Sequence, residues 1–90
     1  MNDKLEDWRK QIDVLDEELL NILGKRMNVV CEIGKYKKAN GIPPLDQKRW
    51  QALLELQLSK AESHNLSGDF VKKIYDLIHE YSLEVQAENK

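Results

Sequence analysis

Apolar side chains recur along residues 5–36 at alternating steps of three and four, the spacing of one face of a helix. No proline interrupts the run before Pro43. The pattern predicts one helix over about residues 4–38, roughly 50 Å long at about 1.5 Å per residue. The apolar series is Leu5, Trp8, Ile12, Leu15, Leu19, Ile22, Val29, Ile33 and Tyr36.

The segment KKANGIPPLD is typical of a loop that ends one helix and starts the next. Asn40 and Gly41 favour the end of the first helix, and both prolines of the chain follow them. Asp46 is a good N-cap, because its carboxylate can accept a hydrogen bond from an unpaired backbone N–H in the first turn. A second helix is therefore predicted over about residues 47–62.

A third helix is predicted over about residues 68–87, with Ser67 as its N-cap. The chain contains no strand pattern, so we expect one all-α, three-helix domain over residues 1–90. A compact domain of this length is only about 30 Å across, which is shorter than the first helix. The apolar face of that helix needs a second chain, and an intertwined helical homodimer is the simplest arrangement that supplies one.

The charge balance limits the possible partners. Fourteen basic and sixteen acidic residues give a net charge of −2, so we expect no general binding to nucleic acid or to membrane surfaces. The N-terminus lacks the apolar core of a signal peptide, and no stretch approaches the length of a transmembrane helix. The single cysteine, Cys31, fits a reducing compartment, and the protein is expected to be cytoplasmic.

Polar side chains interrupt the apolar faces of two predicted helices. Arg26 occupies a position where the rhythm of the first helix calls for an apolar residue, and Lys37 lies three turns later on nearly the same face. Ser82 and Gln86 are one turn apart on the third helix. A guanidinium on a packed face is costly unless an anion meets it. Either a satisfied hydrogen-bond network between helices or an anion site would explain the pattern.

The scarcity of arginine favours the anion site. The chain has eleven lysines but only Arg9, Arg26 and Arg49, and a guanidinium matches a carboxylate with two parallel hydrogen bonds. Three such side chains would suit a small dicarboxylate. His64 and His79 have no histidine or cysteine at metal-ligand spacing, and no glycine-rich phosphate loop is present, so neither a metal nor a cofactor is expected.

Three stretches resemble chorismate mutases of the all-helical class: RKQIDVLDEELLNILGKRMNVVCEIGKYK, PLDQKR and SLEVQ. The similarity extends over about residues 5–87. It implies an intertwined homodimer of three-helix chains with shared active sites. It also implies an isomerase of aromatic amino acid biosynthesis (the shikimate pathway), which converts chorismate to prephenate by a Claisen rearrangement without a cofactor.

The resemblance implies roles for individual residues. Arg26 and Arg49 match the arginines that bind the carboxylates of the substrate, and Arg9 matches one that reaches in from the partner chain. Lys37 and Gln86 match the catalytic pair that flanks the ether oxygen of the breaking bond.

Around the rest of the substrate, Ser82 matches a contact on the carboxylate side and Asp46 a contact near the ring hydroxyl. Trp50 departs from the family pattern, in which the arginine is commonly followed by a glutamate that accepts a hydrogen bond from the C4 hydroxyl. An indole has one N–H donor and no acceptor, so Trp50 cannot make that contact.

Three interpretations of Trp50 remain open. In the first interpretation, the chain is a chorismate mutase that lacks one contact, with Trp50 packed against the substrate or the core. Alternatively, the substrate is different, as in an isochorismate-pyruvate lyase or a mutase for a 4-amino analogue of chorismate. The third alternative is a non-catalytic or partner-activated regulatory module that binds a larger shikimate-pathway enzyme.

Overall fold

The computed structural model describes residues 3–88, and all regular structure in that range is helical. Helix α1 spans Asp3–Ala39, α2 spans Gln47–Ala61 and α3 spans Gly68–Glu88, with a short 3-10 turn at Glu62–His64 between α2 and α3. The prediction of an all-α chain of three helices is confirmed, and each helix ends within one residue of its predicted bounds.

Helix α1 ends through backbone geometry that its sequence favours. Gly41 has a φ of 65°, in the left-handed region where a glycine meets no steric penalty. The chain then turns so that the N–H of Ile42 donates to the carbonyl of Lys37 at 2.8 Å. This bond satisfies a carbonyl of the last helical turn and holds the end of α1 beside the following loop.

Helices α2 and α3 begin at the predicted caps. The Asp46 carboxylate accepts the backbone N–H of Arg49 at 3.0 Å, and Oγ of Ser67 accepts the backbone N–H of Phe70 at 3.1 Å. Asn65, with a φ of 59°, takes the left-handed position that ends the 3-10 turn. Both starts are therefore fixed by hydrogen bonds between residues three apart in sequence.

Helix α3 packs against both α1 and α2, but the resulting core is small. Within residues 3–88 its buried hydrophobic residues are Val30, Ala61 and Val71. Every residue from 3 to 22 is exposed, so the first half of α1 extends beyond the other two helices. The chain measures 61 × 27 × 15 Å, and its radius of gyration is 16.8 Å, against about 12 Å for a compact domain of this length.

The projecting part of α1 and the outer face of α3 expose large apolar side chains. Trp8 is 59% exposed, Ile22 61% and Leu77 66%. A single chain thus leaves in solvent the side chains that its periodicity marks for burial, while the homodimer itself stays a prediction. None of the helices within residues 3–88 combines the length and the hydropathy that crossing a bilayer requires.

Candidate active site

A cleft of about 240 Å³ lies between the second half of α1, the start of α2 and the end of α3, with the α1–α2 loop at its edge. Apolar side chains such as Val30 and Leu53 form part of its wall. Seven of the eight residues singled out in the sequence line this one cleft, although they come from all three helices and the loop: Arg26, Lys37, Asp46, Arg49, Trp50, Ser82 and Gln86.

Arg9 is the residue that the structure does not bring to the cleft of its own chain. It lies on the projecting half of α1, where its side chain is 65% exposed and pairs with Glu6 at 3.2 Å. An exposed pair of this kind contributes little to stability, so it does not hold Arg9 firmly. Its predicted role across a dimer stays a prediction.

Arg26 is positioned by α3. Its Nη1 donates to Oγ of Ser82 at 3.0 Å, and the Ser82 hydroxyl, which is buried, donates in turn to the carbonyl of Ile78 at 2.6 Å. A guanidinium has five N–H donors, and within residues 3–88 Arg26 uses one of them, in its hydrogen bond to Ser82. No carboxylate in the described part of the chain pairs with Arg26, so its charge is available to an anion in the cleft.

Lys37 and Arg49 bring two further cations, and neither forms an ion pair within residues 3–88. Nζ of Lys37 donates to the carbonyl of Pro44 at 2.7 Å, a bond that fixes the ammonium at the loop edge of the cleft. An ammonium has three donors, so two remain for other partners. With the Asp46 carboxylate included, the four charged side chains that line the cleft sum to +2, which matches a dianion.

Gln86 faces the same cleft from the last turns of α3. Its Oε1 is buried and has no hydrogen-bond partner within residues 3–88. Turning the amide over would therefore break no hydrogen bond at this atom. The side chain is able to present either its carbonyl or its NH2 group to a bound molecule.

His79 also lines the cleft, and sequence reasoning missed it. Its ring stacks on Trp50 with centroids 3.9 Å apart and planes inclined by 12°. The sequence did hold a signal, because His79, Ser82 and Gln86 follow one another at steps of three and four on α3 and so share a face. His79 was considered only as a metal ligand, a role that its isolation from other ligands disfavours.

The environment lowers the pKa of His79 below its ordinary value of 6.5. The main cause is burial, which penalises the charged imidazolium. The nearby Asp76 carboxylate raises the pKa, while Arg26 lowers it further. The imidazole is therefore neutral at pH 7 and adds no charge to the cleft. Across residues 3–88, no group of three or more histidine, cysteine or acidic side chains is arranged to hold a metal ion.

Comparison with known proteins identifies one family over almost the whole chain. Residues 8–87 match the family model described as chorismate mutase type II. The chain is 34% identical over 70 residues to the T-protein of Haemophilus influenzae, covering 78% of this chain and 19% of the relative. It is 33% identical over 78 residues to the bifunctional chorismate mutase/prephenate dehydratase of Escherichia coli K12, covering 87% of this chain and 20% of the relative.

A third relative extends the match. The bifunctional chorismate mutase/prephenate dehydratase of Buchnera aphidicola (subspecies Schizaphis graminum) is 31% identical over 85 residues, which is 94% of this chain and 22% of the relative. The chain thus spans about a fifth of the length of the curated relatives it matches.

Proposed function

The chain belongs to the chorismate mutase type II family, and from this membership we propose that its cleft converts chorismate to prephenate. The observation that carries the proposal is the meeting of Arg26, Lys37, Arg49 and Gln86 in one cleft with a net charge that matches a dicarboxylate. Within residues 3–88 no carboxylate forms an ion pair with any of the three cations. A purely structural network would require such pairing.

The two arginines provide binding and orientation. Chorismate must fold its enolpyruvyl arm over the ring before the new carbon–carbon bond can form. Arg26, held by Ser82 on α3, and Arg49, in the first turn of α2, each bind one of the two carboxylates. Because the guanidinium is flat and rigid, each contact selects a direction as well as a charge. Fixing both carboxylates favours the folded conformer and removes part of the entropic barrier.

Lys37 and Gln86 act on the bond that breaks. The ether carbon–oxygen bond of chorismate lengthens ahead of carbon–carbon bond formation, so negative charge develops on the oxygen. Lys37 donates one hydrogen bond to this oxygen and keeps another to the Pro44 carbonyl. Gln86 donates with its NH2 group. Both donors are in place before the reaction starts. Because the oxygen is more negative in the transition state than in the substrate, they stabilise the transition state more. No proton needs to be transferred.

The active form is a homodimer in which Arg9 of each chain completes the cleft of its partner. Two features support this part of the proposal. The first half of α1 projects from its own chain with its apolar residues exposed, and Arg9 lies on that half. The cleft that one chain forms is also slightly smaller than the roughly 300–1,000 Å³ usual for ligand pockets, as expected for a site that a second chain helps to enclose.

The test is turnover of chorismate, with prephenate separated by chromatography. Lys37→Ala should lower kcat by about 10²–10³, the usual effect of removing one preorganised donor to a developing negative charge. Lys35→Ala is the matched control, because Lys35 lies on the same helix and, within residues 3–88, pairs with Glu32 on the surface. Lys37→Ala turning over as fast as Lys35→Ala, with both folded, would contradict the assigned role.

A second candidate reaction is the isochorismate-pyruvate lyase reaction, and Trp50 is the observation that favours it. Its indole occupies the cleft wall directly after Arg49 and offers no acceptor for a C4 hydroxyl. The same assay run on isochorismate separates the candidates. Pyruvate and salicylate from isochorismate, with slow formation of prephenate from chorismate, would favour the lyase, and the reverse would favour the mutase. A 4-amino analogue of chorismate belongs in the same assay.

A larger shikimate-pathway enzyme is a proposed partner. The Escherichia coli relative is named for two activities, and this chain matches about a fifth of the length of that relative. A non-catalytic or partner-activated regulatory module would differ from an independent mutase in one measurement. It would show no saturable binding of a cyclic dicarboxylate analogue of the transition state in the absence of its partner.

A further inference from the structure

The cleft is rich in hydrogen-bond donors. Arg26, Lys37 and Arg49 all carry donors and no acceptors. They suit two carboxylates and an ether oxygen, but chorismate also carries a ring hydroxyl. That hydroxyl is itself a donor, and burying it without an acceptor costs free energy comparable to a lost hydrogen bond.

Most acceptors around the cleft already have partners or lie out of reach. The Pro44 carbonyl accepts from Lys37, and Oδ1 of Asp46 accepts the backbone N–H that begins α2. Oδ2 of Asp46, at the loop edge of the cleft, is a second acceptor that the ring hydroxyl could use. Oγ of Ser82 accepts from Arg26. Gln86 is assigned to the ether oxygen as a donor, through its NH2 group, so its Oε1, which has no partner within residues 3–88, is turned away from the substrate in that role.

The imidazole of His79 remains available. A neutral imidazole has one donor nitrogen and one acceptor nitrogen, and within residues 3–88 neither makes a hydrogen bond. The ring is half-buried, lines the cleft and lies flat against the indole of Trp50 at 3.9 Å. The stack limits the directions in which the ring nitrogens can point. Trp50 itself has no acceptor, so the pair can accept a hydrogen bond only through His79.

We propose that His79 is a substrate-contacting, specificity-determining residue, which accepts a hydrogen bond from the ring hydroxyl of the bound dicarboxylate. Trp50 is a positioning residue, since it acts through the stack that orients His79. The inference rests on the proposed function, because it assumes that the cleft binds a hydroxylated cyclic dicarboxylate.

The burial of His79 favours an unprotonated acceptor nitrogen at neutral pH, because it lowers the pKa of the ring. Burial and Arg26 on α1 lower its pKa, and together they outweigh Asp76 on α3, which raises it. From α2 and its cap, Arg49 and Asp46 line the same cleft. Binding that depends on this acceptor should therefore weaken as the pH falls through the lowered pKa.

The experiment compares two ligands on two variants by calorimetry. The ligands are a cyclic dicarboxylate analogue of the transition state that carries the ring hydroxyl and the same molecule without it. His79→Phe keeps a flat ring against Trp50 but removes both nitrogens. It should weaken binding of the hydroxylated ligand about tenfold, the effect of one hydrogen bond, and leave the other ligand within about twofold. His64→Phe, on the exposed 3-10 turn, is the matched control and should change neither Kd.

A structural role would give a different result. An equal loss for both ligands in His79→Phe would overturn the assignment while leaving the proposed function in place. Wild-type protein that binds neither ligand would instead reject the proposed function, and the role of His79 with it. If His79→Phe does not fold, His79→Gln tests the same point, because it retains an acceptor and should keep the preference for the hydroxylated ligand. Loss of that preference in a folded His79→Gln variant would also overturn the assignment.

Discussion

A single charge on the exposed apolar face of α1 should dissociate the proposed homodimer. Leu20 is suited to this test, because it is 66% exposed in the isolated chain and directly follows Leu19 of the apolar series. In a monomer, Leu20→Glu would replace one exposed side chain by another and should be nearly neutral. In a dimer, it would place a carboxylate where an apolar side chain is meant to be buried.

The accessible surface of the chain sets the scale of the effect. A compact monomer of this mass exposes about 5,400 Å², whereas this chain exposes 7493 Å². The excess of about 2,000 Å² per chain corresponds to roughly 4,000 Å² buried between two chains, within the range of obligate homodimers. Burying the exposed two thirds of a leucine contributes about 1–2 kcal/mol, and symmetry doubles this to about 2–4 kcal/mol. The dimer dissociation constant should therefore rise about 30- to 700-fold, before any cost of burying the carboxylate.

Sedimentation equilibrium and circular dichroism over a range of concentrations would measure both association and folding. The wild type should sediment as a dimer, and Leu20→Glu should dissociate and lose helix together, because the core of one chain is small, with Val30, Ala61 and Val71 as its buried hydrophobic residues within residues 3–88. Gln51→Glu introduces the same charge at an exposed polar position on α2 and is the control. A wild-type protein that is monomeric and fully helical at high concentration would refute the reasoning, as would identical behaviour of the two variants.

Two further predictions concern local groups. Asp46→Ala should destabilise the protein by about 1 kcal/mol through loss of the α2 cap, whereas Asp46→Asn should cost much less; thermal unfolding of the two variants measures the difference, and equal losses would argue against capping. Because the pKa of His79 is lowered on folding, the unfolded chain binds more protons just below 6.5. The contribution of His79 to the free energy of unfolding should therefore be fully present above pH 6.5. It should decrease as the pH falls towards the lowered pKa of the folded state. Thermal unfolding across this range should show a smaller pH dependence in His79→Phe, and an unchanged dependence would assign it to another group.

The sequence was sufficient for the helices because their signals are local. The end of α1 follows from the left-handed conformation of Gly41, and the start of α2 from a carboxylate three residues before the N–H that it accepts. The apolar spacing of α1 predicted one continuous helix, and its length identified the mismatch with a compact domain. The side chains of that apolar series are exposed in the single chain, so their burial stays a prediction. Each of these features depends on residues within one or two helical turns, so a single sequence contains all of the information needed.

The arrangement of the site needed more than local signals. Arg26 and Ser82 could each be recognised as a polar interruption, but their hydrogen bond depends on how α1 and α3 pack. The tether between Lys37 and Pro44 depends on the path of the loop after the helix. The family resemblance identified the set of residues, whereas the structure identified the hydrogen bonds that position Arg26 and Lys37.

The structure also changes the question that Trp50 raises. In sequence the alternatives were a chorismate mutase that lacks one contact, an enzyme with a different substrate, and a non-catalytic or partner-activated module. Trp50 is half-buried and lies against His79, a ring that also lines the cleft, so the two residues act as a unit. The missing acceptor at position 50 is then offset by a neutral imidazole on the neighbouring helix. A substitution of Trp50 should therefore be interpreted through its effect on His79, because a change at either ring alters the orientation of the other.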